Sequence, residues 1–288
     1  MKATVQTLSV VCGTRACNAR CPYCVSRMTG TTANDTEFNT RNFKIACEFA
    51  KQCCANTMLI TGCGEPTLAP TQVGKVLRTL MDMGDDMFPF RELQTNGLRI
   101  GYGQLDHHLE SWYLDGLTTI ALSVAHFRDY FNRQIYTPDY IDLPATIQKL
   151  KSIGFMVRLS VMGMKGGIDN ERKIDELIEW CSENSVDQIT FRRIVEPQET
   201  HNQAISDWVN EHYIGDQEWI ALERYVYSRG TILFNLMHGA TVLDIDGQNF
   251  CMSNCLTDSP DPEQLRQLIY FPDGRLRYSW KHRGAILL

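Results

Sequence analysis

A chain of 288 residues, 43% hydrophobic and 22% charged, has the composition of an ordinary globular protein of one large or two modest domains. Its net charge of −6 provides no global field to attract polyanions, so nucleic acid is not an expected partner. No stretch reaches the roughly 18 apolar residues of a membrane span, and Gln6, Thr7 and Ser9 interrupt any apolar leader, so the expected compartment is the cytoplasm.

The first β-rich run, Thr7–Cys12, leads into Cys12-Gly-Thr-Arg-Ala-Cys17-Asn-Ala-Arg-Cys21-Pro-Tyr-Cys24. Further runs lie at Thr57–Thr61, Arg91–Thr95, Thr119–Val124, Met156–Val161 and Gln188–Ile194. Between them the sequence predicts helices over Thr40–Cys54, Thr71–Met83, Gln104–Glu110, Leu143–Ile153 and Glu171–Glu183. In the last of these, Ile174, Leu177, Ile178 and Cys181 fall at helical spacing behind Asn170, a good N-cap. Gly84 and Gly154 sit where helix C-terminal glycines belong. Six strand–helix alternations predict a parallel sheet with crossover helices, open or curled into a partial barrel, with its chemistry on the loops after the strands. Beyond residue 195 the pattern changes. Trp208–Tyr227 reads as an aromatic-rich helix, and turn signals at Asp246-Gly247 and Phe271-Pro-Asp-Gly punctuate short strand-like runs. The last third is therefore predicted to be a cap of helix plus small antiparallel strands.

Eleven cysteines is an odd number, and thiols stay reduced in the cytoplasm, so the cluster points to metal or catalysis. Cys17, Cys21 and Cys24 are spaced C-x-x-x-C-x-x-C directly after a strand. Arg15, Arg20 and Arg27 beside them are expected to favour thiolates. A structural zinc site takes four ligands. Three close cysteines without a fourth leave one position open, which fits a 4Fe–4S cluster with one free iron. Cys12 reads as a buried thiol of the strand.

The stretch Cys17-Asn-Ala-Arg-Cys21-Pro-Tyr23-Cys24 resembles the signature of radical S-adenosylmethionine (SAM) enzymes, which carry the same spacing and an aromatic residue before the last cysteine. Thr61-Gly62-Cys63-Gly64-Glu65-Pro66-Thr67-Leu68 after the second run resembles the family's G-G-E-P motif, with Cys63 as a departure. Thr95-Asn96-Gly97 after the third is also common there. The resemblance covers roughly Thr7 to Ile194. It implies a partial (β/α)6 TIM-like barrel over residues 1–197, with residues 198–288 as the cap or substrate-binding extension. It implies a 4Fe–4S cluster on Cys17, Cys21 and Cys24 and SAM as cofactors, and an external reductant such as a flavodoxin or ferredoxin. SAM contacts carried over with it are Tyr23, Gly62, Cys63, Gly64, Glu65, Asn96, Ser123, Arg158, Ser160 and Ile194. The implied activity is reductive cleavage of SAM to a 5′-deoxyadenosyl radical that takes a hydrogen atom from a substrate.

The substrate is not named by the sequence. The short cap favours a compact small molecule or nucleotide-like compound; a peptide or protein side chain is the alternative. A non-catalytic zinc or iron–sulfur scaffold is a third reading, but a scaffold has no need of the Gly62–Pro66 loop. Candidate catalytic residues are His126, close after the fourth run, and the pair Cys251 and Cys255, read as a hydrogen-atom donor, as auxiliary-cluster ligands or as ordinary half-buried thiols. Lys165 lies in a glycine-rich stretch, Met162–Gly167, that is a candidate lid. His238, Asp244 and Asp246 are candidate substrate contacts, with a solvated strand face as the plainer reading.

Overall fold

The computed structural model describes residues 4–29, 37–84, 87–195, 200–236, 240–253, 264–280, 282 and 284–288. Its strands are β1 Thr4–Val11, β2 Thr57–Thr61, β3 Phe90–Thr95, β4 Thr119–Val124, β5 Met156–Gly163, β6 Gln188–Arg193, β7 Thr231–Asn235, β8 Thr241–Ile245, β9 Gln248–Met252, β10 Gln264–Tyr270 and β11 Leu276–Arg277. Its helices are α1 Val25–Thr29, α2 Thr40–Gln52, α3 Pro70–Met83, α4 Leu98–Gly101, α5 Asp106–Leu114, α6 Asp129–Ile135, α7 Leu143–Ile153, α8 Glu171–Glu183, α9 Gln203–His212 and α10 Asp216–Arg229.

Strands β1 to β6 are parallel neighbours in chain order, as the alternation requires. Side chains alternate across a strand, so each strand has two distinct faces. One face carries Leu8, Val10, Met58, Ile60, Leu93, Ile120, Val157, Leu159, Ile189 and Phe191, all fully buried in the core beneath the helices. Each such side chain contributes about 1.5–3 kcal/mol. The other face carries Ser9, Glu92, Gln94, Ser123, Arg158, Ser160, Thr190 and Arg192. This inner face is polar and only partly covered, so the barrel is an α/β fold with a chamber on one side.

The helices form where local chemistry asks for them. Asn170 accepts from the Lys173 N–H and starts α8, which buries Ile174, Leu177, Ile178 and Cys181. Asp142 caps α7 the same way, and Gly154 ends it in the left-handed region at φ 115°. The predicted single helix Trp208–Tyr227 is two helices, α9 and α10. Gly215 interrupts them, and its N–H is taken by Glu218 at 2.9 Å.

The largest difference from expectation concerns the tail. It does not stack beside the barrel as an antiparallel cap but extends the same sheet at both edges, giving the order β11-β10-β1-β2-β3-β4-β5-β6-β9-β8-β7. β7, β8, β9 and β11 contribute the expected antiparallel pairs, yet β9 lies parallel beside β6 and β10 parallel beside β1. The physical reason is the edge problem. A six-stranded open barrel leaves unpaired backbone groups on β1 and β6, and the tail satisfies both rows. The sheet stays open: β11 and β7 end it, unpaired with each other among the described residues.

Candidate active site

The cysteine loop hangs from the end of β1 and is braced from four directions. The Gly13 N–H donates to Gln72 Oε1 at 2.6 Å, and the Glu65 N–H to the Ala16 carbonyl at 2.9 Å. The Arg20 N–H donates to the Tyr136 carbonyl at 3.1 Å, and the hydroxyls of Tyr23 and Tyr136 are 2.9 Å apart. The Tyr23 ring also lies 6.0 Å from Trp208 of α9. Cys12 is fully buried just past β1, with its thiol pushed up to about 12 by burial, in keeping with a structural thiol.

Cys17 is exposed, and Cys21 and Cys24 are half-buried. Burial, with the neighbouring Cys24 adding to it, raises the Cys17 thiol and takes Cys21 to about 12. The expectation that the arginines favour thiolates is thus corrected. Of the three, only Arg27 lowers Cys21, and burial outweighs it. Deprotonation is left to the metal. No three His, Cys, Asp or Glu side chains among the described residues are gathered as a cage for a single ion. Three thiols on one braced loop, near enough for Cys17 and Cys24 to act on Cys21, match the ligand set of an iron–sulfur cluster. The Ala19 N–H at 3.5 Å and Asn96 Nδ2 at 3.8 Å point at the Cys17 sulfur, the kind of hydrogen bonding that tunes a cluster.

Two loops close over this one. In the loop after β2, a Cβ on Gly64 would fall 2.1 Å from the Ala16 carbonyl oxygen, so only glycine permits the approach. Glu65 is 4% exposed. Its Oε1 accepts from the Thr67 N–H at 3.0 Å and from the Thr67 and Thr95 hydroxyls at 2.6 Å, while Oε2 accepts from the Asn96 N–H at 2.9 Å. Asn96 then donates to Asn18 Oδ1 at 2.8 Å. The carboxylate thus staples the β2 and β3 loops together and, through Asn96, to the cysteine loop. Gly62 lies in the same loop with backbone on both sides. Cys63 instead packs with Val11, Ile269, Phe271 and Trp280, and burial takes its thiol to about 11.

Across the inner face, strand register lines up side chains in rows. Ser123 pairs with Ser160, Ser160 with Thr190 and Thr190 with Cys251. One step toward the strand starts, Arg158 is ion-paired with Glu92, which also accepts from Gln94 at 3.0 Å. Arg158 therefore already has a carboxylate partner in the protein. Ile194 is buried beyond β6, its N–H donating to the Gly163 carbonyl at 3.1 Å. Glu92, Tyr136 and Trp208 were not found from sequence. Glu92 and Gln94 alternate with Leu93, and that period-2 polarity was the available signal for the first; nothing local marks the other two.

The other candidates make contacts within the fold. His126 is 5% exposed, its ring 4.3 Å from Phe127 and 5.2 Å from Phe131, and its Nδ1 accepts from the Arg128 N–H at 3.0 Å. Burial, helped by Arg128 and Lys173, pulls the imidazole down to about 4. A histidine held neutral this way gives stability that is complete above its unfolded pKa near 6.5 and is lost as pH falls toward about 4. His126→Gln is therefore expected to flatten the fall of Tm between these pH values; parallel wild-type and variant profiles would contradict the assignment. The Met162–Gly167 stretch is anchored around an exposed Lys165 and Gly166. Met164 and Ile168 are fully buried, and the Lys165 N–H donates to the His212 carbonyl at 2.8 Å. Asp244 and Asp246 close the β8–β9 turn. Asp244 accepts from the Gly247 N–H at 2.8 Å, and Asp246, at φ 53°, is ion-paired with Arg229. Cys255 and His238 lie outside the described residues.

Three clustered cysteines after the first strand of an open parallel α/β barrel point to the class of protein. A family model for the Radical SAM superfamily matches residues 11–181, and the chain belongs to that superfamily, whose enzymes use a 4Fe–4S cluster and SAM. Streptococcus suis SuiB bound to precursor peptide SuiA is similar in fold, with TM-score 0.58 at 15% identity, over 99% of this chain and 62% of SuiB. Methylornithine synthase (PylB) gives 0.54 at 14% identity, over 90% and 73%. anSMEcpe with bound AdoMet and Kp18Cys peptide gives 0.55 at 11%, over 98% and 77%. These identities speak to fold alone, and the chain spans only 62% of SuiB. No curated protein matches the chain. Among the described residues no helix is long and apolar enough to cross a membrane.

Proposed function

We propose that this chain is a radical SAM enzyme that takes a hydrogen atom from a compact substrate held on the polar inner face of the barrel. The observation that carries the reading is the Glu65 staple, which fixes the loops after β2 and β3 directly against the three-cysteine loop. Cys17, Cys21 and Cys24 would hold the cluster. When bound, the cluster supplies the electron that cleaves SAM to methionine and a 5′-deoxyadenosyl radical. The protein's part is to bind, orient and exclude water. Backbone of Gly62–Glu65, where side chains are absent or turned away, would take the methionine end. Asn96, Ser123 and Ser160 would offer polar contacts along the row leading from it. The exposed Cys17 gives an external reductant, a flavodoxin or ferredoxin, a short path to the cluster.

A second reading, modification of a peptide side chain, is favoured by one feature. An open groove of about 900 Å3 runs between the cysteine loop, α6 and α9, lined by Pro22, Phe131, Tyr136 and Trp208 with Arg20 and Arg133. Such a surface suits an extended chain.

Anaerobic reconstitution followed by SAM and dithionite is expected to give about four irons per chain and 5′-deoxyadenosine. Changing Cys17, Cys21 and Cys24 together to alanine is expected to abolish both. Undiminished 5′-deoxyadenosine from the triple variant would overturn the reading.

A further inference from the structure

We propose that Arg192, Ser253 and Thr190 form a receptor for an anionic group of the substrate, a carboxylate or phosphate, at the β6–β9 end of the inner face. The inference rests on the proposed function for its chamber and adds the substrate's chemistry.

Thr190 and Arg192 are two residues apart on β6 and share its inner face, because Ile189 and Phe191 between and beside them are fully buried in the core. Register fixes their neighbours. Thr190 sits between Ser160 and Cys251, and Arg192 pairs with Met162 of β5. The Ser253 N–H donates to the Phe191 carbonyl at 3.1 Å, which carries the β6–β9 register one residue past Met252 and sets Ser253 beside Arg192.

Two of these groups lack partners among the described residues. Ser253 is 4% exposed, yet its buried Oγ makes no hydrogen bond, and neither does the buried Nε of Arg192. No carboxylate pairs with Arg192 among the described residues. The nearby arginines differ: Arg158 holds Glu92, and Arg193 holds Asp216 at 2.7 Å. An unsatisfied buried donor costs about 1–3 kcal/mol, and a protein keeps such a cost where a ligand removes it. A guanidinium fork with one hydroxyl beside it on β9 and another two residues back on its own strand matches the oxygens of a carboxylate or phosphate. SAM has a single anionic group, its own carboxylate, and the loop expected to hold that end follows β2. β6 lies four strands away from β2 in the sheet order, so that loop does not supply the neighbours of Arg192. The unmatched cation therefore calls for a second anion.

The test uses the reconstituted protein with SAM present, titrated calorimetrically with inorganic phosphate in one arm and acetate in the other. The wild type is expected to bind at least one of the two at a single saturable site, the preferred anion naming the substrate's group. Arg192→Gln is expected to weaken that binding about tenfold or more, and Ser253→Ala less, with SAM affinity and Tm near wild type. Arg192→Lys, which keeps the charge without the fork, is expected to recover part of the binding. Saturable binding of neither anion, equal binding by Arg192→Gln, or loss of SAM affinity in that variant would overturn the receptor. The two proposals fail separately. Arg192-dependent anion binding without 5′-deoxyadenosine formation would sink the proposed function and leave the receptor, and the reverse result would do the opposite.

Discussion

Gly64→Ala is expected to destabilise the protein by about 3 kcal/mol, the upper range for overpacking, and to strip most of its iron-binding capacity. The cause is steric. The added Cβ would lie 2.1 Å from the Ala16 oxygen and 2.7 Å from the Arg15 carbonyl carbon. Both are backbone atoms, which cannot swing aside as a side-chain tip can. They are also held in place, because the Glu65 N–H donates to that same oxygen at 2.9 Å. Relief therefore requires the cysteine loop to move away from the loop after β2, which disturbs the placing of Cys17. Gly62→Ala makes a useful comparison. Its Cβ would come no closer than 3.0 Å to backbone, so a milder effect is expected. Urea midpoints and iron per chain after reconstitution check both. A Gly64→Ala protein with wild-type midpoint and full iron would show that the loops are not in contact as described.

Glu65→Leu is expected to cost about 3 kcal/mol or more, because each buried donor left without an acceptor costs about 1–3 kcal/mol. It leaves four donors, the Thr67 and Asn96 N–H groups and the Thr67 and Thr95 hydroxyls, facing an apolar side chain. Glu65→Gln should be milder in stability but revealing in function. Its amide can accept with one atom only, so either the Asn96 N–H or the Thr hydroxyls lose their acceptor. Asn96 then shifts against Asn18 and Cys17. The expected result is a SAM affinity about tenfold weaker with iron content retained, measured by equilibrium binding. Unchanged SAM affinity in both variants would separate this carboxylate from the cofactor site.

Local signals account for what could be read in advance. Thr57–Thr61 and Thr119–Val124 are β-rich runs flanked by turn residues. Leu143–Ile153 and Glu171–Glu183 carry side-chain caps. All four match the structure residue for residue. The three cysteines declared themselves by spacing. What escaped depends on distance in the chain. Glu65 reads as one motif residue, but its role comes from Thr95 and Asn96, thirty and thirty-one positions on. Arginines next to cysteines suggested thiolates, yet burial, which no local pattern reports, dominates. The break at Gly215 was hidden because both flanks form helices well. The pairing of β10 with β1 left no local trace, and the tail accordingly read as a separate cap.

That last pairing has a consequence for how the protein is made. Thr7 and Arg266 are hydrogen-bonded partners 259 positions apart. At roughly 5–20 residues per second, translation separates them by roughly 13–50 seconds. During that interval β1 has an open outer edge, and the cysteine loop it carries hangs from an incomplete support. A contact closing so long a stretch of chain belongs among the slow steps of folding. Cluster loading in the cell is therefore expected to follow the emergence of β10 and its pairing with β1, and a nascent protein stalled before β10 would expose its cysteines unprotected to oxygen and stray metal.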